Sequence, residues 1–455
     1  MPETLPAQGG DPPQPPAADA AAGSSGGSAG SSGEVPGRAG PLARLRDAAA
    51  ARDRAGLRRG LHARSPDHDG LLDLASNDYL GLSRNPGLIE GAVAAVRAWG
   101  VGATGSRLVS GTTTLHAELE STLARFCEAP GALVFSSGYL ANLAVVTALA
   151  AALGSGKRAA AAGCGCGSFR GHAGTSVLVV SDEHNHASLI DACRLSRARV
   201  AVTAHGDVAA VEKALATRDE EAAIVVTDAV FSVAGDLAPL TGLHAAARAH
   251  GALLVVDEAH AFGVVGEGGR GGVHAAGLAT EPDVVRTVTL SKSLAGQGGA
   301  VLGTAEVIET LIDTGRSFIF DTGLAPACTG AALAALGVLM ASPWLADRTR
   351  QRACRLADIA TDLGFETIRP EAAVVSVVLG APATAVAARQ LCADHGLAVA
   401  CFRPPSVPEG RSCLRLAARP DLADADLETV GLALAAVRAH APQAAAASQE
   451  GGDRP

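Results

Sequence analysis

Short β-branched runs alternate with Ala/Leu-rich helical stretches along most of this 455-residue chain, at 133–135, 177–181, 200–203, 224–228, 253–257 and 284–290. Apolar strands separated by helices build a mostly parallel sheet covered on both faces, because each parallel crossover needs a helix to carry the chain back. The predicted class is therefore α/β. In such sheets ligands bind beyond the carboxyl ends of the strands. After about residue 345 the pattern changes. Helical stretches at 350–363, 383–395 and 424–441 interleave with short strands at 374–378, 398–402 and 413–416, which predicts a smaller α+β domain.

Residues 1–40 are dominated by Pro, Gly, Ala and Ser, too poor in large apolar side chains to offset the entropy of ordering, and are expected to be a disordered tail. They have neither a basic start nor an apolar run, so no secretory signal is read there. Residues 444–455 form a similar, shorter tail. Between the tails the expectation is a helix and segment at 41–100 packing with the small domain, a large domain at 101–320 with a flexible insertion at 154–174, and a small domain at 321–443. Two uncharged stretches, 129–156 and 322–346, are long enough to span a membrane but rich in Gly, Ala, Ser and Thr, and read as buried helices. A net charge of -9 leaves no basic field for nucleic acid. Nine cysteines without paired spacing read as reduced thiols of a cytoplasmic protein. Cys164-Gly-Cys166 with His184 and His186 fits no usual zinc spacing, so no metal is expected.

Only Lys157, Lys213 and Lys292 are lysines among 37 basic residues. Arg cannot give up its proton at working pH and an amine can, so a lysine kept in such a chain marks chemistry that needs a free amine. Lys157 and Lys213 have bland settings, whereas Lys292 follows the predicted strand at 284–290 and Asp257 ends the one before it. Both then project at one sheet edge. The Asp257-Glu-Ala-His260 sequence resembles a nucleotide-hydrolase magnesium box, but the only Gly-Lys pair, Gly156-Lys157, lacks the spacing and the following hydroxyl of a phosphate loop. An amine and a carboxylate at one sheet edge suit pyridoxal 5′-phosphate instead: the lysine condenses with its aldehyde and the aspartate keeps the pyridine nitrogen protonated. Ser136-Ser-Gly138-Tyr139, where a strand turns into a helix, supplies phosphate donors with little bulk, and Thr289 and Ser291 add hydroxyls.

With these elements in place, the chain from about Leu57 to about Asp426 resembles the α-oxoamine synthases, pyridoxal-phosphate enzymes that condense an amino acid with an acyl thioester and release carbon dioxide. The resemblance is carried by Ser76-Asn-Asp-Tyr-Leu-Gly81, Gly105-Ser-Arg-Leu-Val-Ser-Gly111, His116-Ala-Glu-Leu-Glu120, His186-Ala-Ser188, Val230-Phe-Ser232, Asp257-Glu-Ala-His260 and Thr289-Leu-Ser-Lys292. It implies the aspartate-aminotransferase-like arrangement called fold type I. It also implies Lys292 as the lysine bound to the cofactor, Asp257 as the pyridinium partner, His186 stacked on the ring, and His260 and Ser232 as donors to the ring's phenolic oxygen. Gly138, Tyr139 and Thr289 match cofactor contacts. Arg415 matches a clamp on the amino-acid carboxylate, with Asn77 nearby, and Arg58 and Ser406 match positions that contact the acyl substrate.

Phe402-Arg-Pro-Pro-Ser-Val-Pro408 followed by Leu414-Arg-Leu416 is most similar to the members that join L-alanine to a pimeloyl thioester, carried on coenzyme A or on an acyl carrier protein. Sister reactions of glycine or serine with other acyl groups use the same site chemistry. An aminotransferase and a catalytically silent partner are further alternatives, the latter disfavoured by Lys292. The resemblance also implies a homodimer with shared sites, in which the segment around Phe318-Ile-Phe-Asp-Thr-Gly323 brings Thr322 to the partner's phosphate. Asp321 beside that phosphate is expected to turn away and cap the helix beginning near Pro326, since like charges repel.

Overall fold

A computed structural model describes residues 40–61, 63–66, 70–154 and 176–450, with side chains through 440. All but Gly40 of the tail expected over residues 1–40, the body of the insertion and residues 451–455 lie outside the described residues. Two compact units divide after Arg58. The first contains the helix Pro41–Arg54, begun by a proline whose missing N–H costs nothing at a helix start. Arg58 follows that helix, exposed and paired with Asp53 at 3.0 Å.

The second unit is built on a seven-stranded sheet in the order Gly131–Phe135, Gly299–Gly303, Val284–Thr289, Leu253–Asp257, Ala222–Asp228, Val177–Asp182, Arg199–Thr203. Gly299–Gly303 runs antiparallel to both neighbours, and every other pairing is parallel. Six of these strands are those read from the sequence; the antiparallel one was not, because its glycine borders read as loop. Leu254 and Val256 face a core with Val211, Leu243 and Ala247, while Val226 and Val255 face Ala144, Val145 and Leu149 of the helix Gly138–Gly154. Burial on both faces is why these strands read as unbroken apolar runs rather than as alternation.

A three-stranded antiparallel sheet, Ala400–Phe402, Ser412–Ala417 and Val374–Gly380 in that order, packs on the helices Trp344–Asp362, Pro382–Asp394 and Asp424–Glu450. Leu414 and Leu416 belong to that core. By the two-residue period of a strand, Arg415 then faces the other way, the side on which Ala417 joins the core of the large sheet.

Three expected boundaries are corrected. Within the second unit, the part of the segment 41–100 that follows Arg58 does not pack as one piece with the small domain. Leu72–Asp73 pairs with Leu397–Ala398, but Leu80, Leu82 and Leu88 join Leu119, Leu290 and Leu302 beneath the large sheet. The small domain does not begin at 321 either, because the helix Pro326–Ala341 buries Ala332, Ala335, Leu336 and Leu339 in that same large-domain core. Its Gly330 lies against Pro86–Trp99 so closely that a Cβ there would stand 2.5 Å from the Gly91 carbonyl oxygen. The last helix, Asp424–Glu450, runs past 444, where the tail was expected to begin. Among the described residues no single helix is long and apolar enough to cross a membrane.

Candidate active site

Asp228 and Asp257 close adjacent parallel strands and are register partners, and Lys292 lies three residues beyond the end of the next strand. Asp257 shares strand parity with Val255, so it points at the helix Gly138–Gly154. There Asn142 meets it. The Asn142 amide Nδ2 donates to Asp257 Oδ2 at 2.7 Å and to Ser188 Oγ at 2.8 Å, while its Oδ1 accepts from Thr287 Oγ1 at 2.7 Å. Asp257 Oδ1 accepts the Ala259 N–H at 2.8 Å. Both hydrogens of this amide and its oxygen are engaged, so the carboxylate is held in one orientation. Sequence reasoning gave Asn142 no role. Its signal was a lone amide, 2 % exposed, in a helix otherwise buried through Ala, Val and Leu.

Lys292 is half-buried. Burial pushes its amine down to about 8, although Asp257 and Asp228 favour the charged form; Arg415 lowers it further. Asp228 itself is buried, and desolvation followed by the charge of Asp257 raises its carboxyl well above the usual range. Its Oδ2 accepts the His186 N–H at 3.1 Å, and its Oδ1 has no partner among the described residues.

The cradle expected at Gly138 is formed by close backbone packing. A Cβ on Gly138 would lie 3.2 Å from Thr289 Cβ, and one on Gly299 would stand 2.5 Å from Gly138 N. Both glycines thus let the start of a 17-residue helix press against the strand ends, presenting the positive end of the helix dipole at the sheet edge. Thr289 and Ser291 add hydroxyls 2.7 Å apart. Tyr139 donates its hydroxyl to Asp191 at 2.6 Å.

His186 caps the helix Ala187–Ser196, its Nδ1 2.7 Å from Ser188 Oγ. Desolvation lowers its pKa, with Asp257 pulling it up and Lys292 pushing it down. His260 is buried and contacts the Tyr79 hydroxyl. Arg415 donates from Nη1 to the Ser232 carbonyl at 2.8 Å and from Nη2 to Asn77 Oδ1 at 2.7 Å, with its guanidinium 4.7 Å from the centre of the Phe402 ring. Its Nε is buried without a partner among the described residues, a free donor edge that a carboxylate would fill. Lys292, Asp257, His186, His260, Asn77, Ser232 and Arg415 are thus joined by contacts or by mutual electrostatic influence. Ser406 sits exposed in the turn after Phe402 and makes no such link, and Arg58 belongs to the first unit.

Asp321 is a correction. It does not cap the helix at Pro326, whose N-cap is Ala325 without a side-chain bond; it accepts instead from the Ser136 hydroxyl of its own chain. Thr322 forms an antiparallel bridge to Ser106 beside it.

Comparison with known proteins agrees with this geometry. The aminotransferase class I and II family matches residues 69–432, and the chain belongs to it. The architecture is fold type I: a serine palmitoyltransferase from Sphingomonas wittichii superposes with a TM-score of 0.78 at 28% identity, over 89% of this chain and 99% of that one. Pyridoxal 5′-phosphate is the cofactor. The residues fit it, with a tight phosphate cradle, an amine of lowered pKa and a braced carboxylate at one sheet edge. At higher identity, the 8-amino-7-oxononanoate synthase of Mycolicibacterium gilvum is 56% identical over 387 residues, 85% of this chain and 94% of the relative. That of Mycobacterium marinum is 55% identical over 395 residues, 87% and 94% of the two chains.

The lowered amine pKa carries a pH expectation. Only the neutral amine attacks the cofactor aldehyde, so the rate of cofactor uptake by apoenzyme should rise with pH through about 8 rather than through the ordinary lysine range. Asp257→Asn removes a carboxylate that favours the charged amine, so its profile should move to lower pH. Stopped-flow absorbance measures both, and a midpoint near the ordinary lysine value, about 10, in the unaltered enzyme contradicts this reading.

Proposed function

We propose that the protein joins L-alanine to a pimeloyl thioester: a carbon–carbon bond forms at the alanine Cα, the thiol carrier and carbon dioxide leave, and 8-amino-7-oxononanoate, a precursor of biotin, is the product. The observation that supports it best is the pairing of Lys292 and Asp257 at one sheet edge with the free donor edge of Arg415 across from them. The names of the relatives at 54–56% identity support the choice among sister reactions. The unpaired spacing of the nine cysteines in the sequence supports a cytoplasmic setting.

Pyridoxal phosphate, when bound, supplies the electron sink that makes the alanine Cα acidic. The chain's own groups do the rest. Lys292 would hold the cofactor's aldehyde and supply the base for the alanine Cα proton; an amine pKa of about 8 leaves a useful neutral fraction at working pH. Asp257, oriented by Asn142 and the Ala259 N–H, keeps the ring nitrogen protonated. Arg415 takes the substrate carboxylate on its Nε side while Ser232 and Asn77 hold its far edge. His186, its orientation fixed by Ser188, would lie over the ring and donate to the acyl carbonyl as charge develops there. His260 and Ser232 serve the phenolic oxygen, Gly138, Tyr139 and Thr289 the phosphate, and Ser406 the acyl chain.

The test is a product assay with alanine, glycine and serine against pimeloyl, acetyl and palmitoyl thioesters, the pimeloyl group offered on coenzyme A and on acyl carrier protein. Alanine with a pimeloyl thioester should be fastest; faster turnover of glycine with the acetyl thioester moves the protein to a sister activity. The reading includes a homodimer, supported by the exposed Trp99, Val101, Leu108, Val109 and Phe320. Light scattering should give twice the 45.2 kDa chain mass, and a monomeric active enzyme ends this part of the reading. If Thr322 reaches across that interface, mixing inactive Lys292→Ala and Thr322→Ala subunits should partly restore activity.

A further inference from the structure

Tyr79 is fully buried and its hydroxyl lies between two hydrogen-bonding partners, 2.6 Å from His260 Nδ1 and 3.1 Å from Asn77 Oδ1. Its main chain is tied down at both ends: its N–H donates to the Asn77 carbonyl at 2.9 Å, and its carbonyl accepts from Thr349 Oγ1 at 3.1 Å. Neither the tyrosine nor its contact with His260 was assigned a role by motif reading. Two proton arrangements satisfy the contacts. In one, the tyrosine donates to Nδ1 and the histidine carries its hydrogen on Nε2. In the other, Nδ1–H donates to the tyrosine, which passes its hydrogen to Asn77, and Nε2 is left as an acceptor.

The geometry points to the first, and we propose that Tyr79 is a positioning residue that fixes His260 in the Nε2–H tautomer, making it a donor to the cofactor's phenolic oxygen. Asn77 Oδ1 already accepts the charge-assisted N–H of Arg415 at 2.7 Å, and 3.1 Å is long for a bond between two oxygens. The 2.6 Å contact to His260 is made in either arrangement, so it is the long and already occupied contact to Asn77, where the second arrangement would have to place the hydroxyl hydrogen, that favours the first. Burial pushes the tyrosine up to about 12, and burial, with the charges of Lys292 and Arg415, drives the His260 imidazole well below its usual value. Both groups are therefore neutral throughout the working range, and the tautomer alone decides whether His260 gives or takes a hydrogen bond. The proposal rests on the pyridoxal-phosphate reading for what lies opposite Nε2.

The first measurement needs no cofactor. Nitrogen-15 spectra of histidine-labelled apoenzyme, with the His260 signals assigned by their loss in His260→Gln, should show a protonated Nε2 and an unprotonated Nδ1. In Tyr79→Phe the ring stays and the hydroxyl goes, so the two nitrogens should move toward averaged shifts. In the loaded enzyme the same change should raise the cofactor dissociation constant about threefold to tenfold, the worth of one ordinary hydrogen bond, and displace the pKa of the bound cofactor's absorbance. A purely structural tyrosine would lower the melting temperature and leave these spectra alone. The proposal is overturned if wild-type His260 carries its proton on Nδ1, or if Tyr79→Phe changes neither the nitrogen pattern nor the absorbance pKa. A failure of the substrate assignment would show instead in the product assay, with the nitrogen pattern untouched.

Discussion

Lys292→Ala is expected to yield a folded protein that holds no pyridoxal phosphate covalently and makes no product. Folding should survive because the amine is disfavoured by its surroundings, its burial working against its charge. The carboxylate beside it keeps its own partners, Asn142 and the Ala259 N–H, when the amine is gone. Activity should not survive, because one side chain is asked both to anchor the aldehyde and to move the Cα proton. General-base roles alone are worth roughly 10²–10⁴ in rate, so the combined loss should exceed about a thousandfold. The check is borohydride reduction followed by denaturation and mass measurement, which should show a cofactor adduct in the unaltered enzyme and none in the variant. An adduct in Lys292→Ala, with normal turnover, removes Lys292 from its place.

Why that residue was legible while others were not follows from how far each signal reaches along the chain. Lys292 and Asp257 announce themselves locally, as a rare amine and a carboxylate each at the end of an apolar strand, and strand ends were readable because burial on both faces leaves unbroken β-branched runs. The strand Gly299–Gly303 was not, since its Gly299 serves close packing against Gly138 rather than a turn, and only the folded chain brings those backbones together. The same holds for the braces. Asn142 meets Asp257 across 115 residues and Tyr79 meets His260 across 181, so neither contact has a local pattern. Asp321 failed for a related reason: its local sequence favours an N-cap near Pro326, but tertiary packing offers it the Ser136 hydroxyl. The boundary at 321 failed because an all-apolar helix such as Pro326–Ala341 carries no mark of which core it enters.

The brace at Asp257 allows its chemistry and its packing to be separated. Asp257→Asn should cost at least about a hundredfold in kcat, because a neutral amide cannot keep the ring nitrogen charged. It should also destabilise the fold, since its new NH₂ meets the NH₂ of Asn142, which already donates to Ser188, and two donors then face each other in a buried site. Such an unsatisfied pair costs about 1–3 kcal/mol. Adding Asn142→Asp reverses the polarity: the carboxylate introduced on the helix accepts from the amide introduced at the strand end and from the Thr287 hydroxyl, so the two facing donors are gone, while the single Ser188 hydrogen serves either His186 Nδ1 or the new carboxylate. The double variant should therefore regain the melting temperature and remain inactive, because its negative charge now sits on the helix Gly138–Gly154 instead of at the strand end facing the ring. Thermal melts and kcat on the two variants and the unaltered enzyme decide the matter. Recovery of turnover in the double variant would mean that charge anywhere in the brace suffices, and full activity in Asp257→Asn alone would strip the aspartate of its part in the reaction.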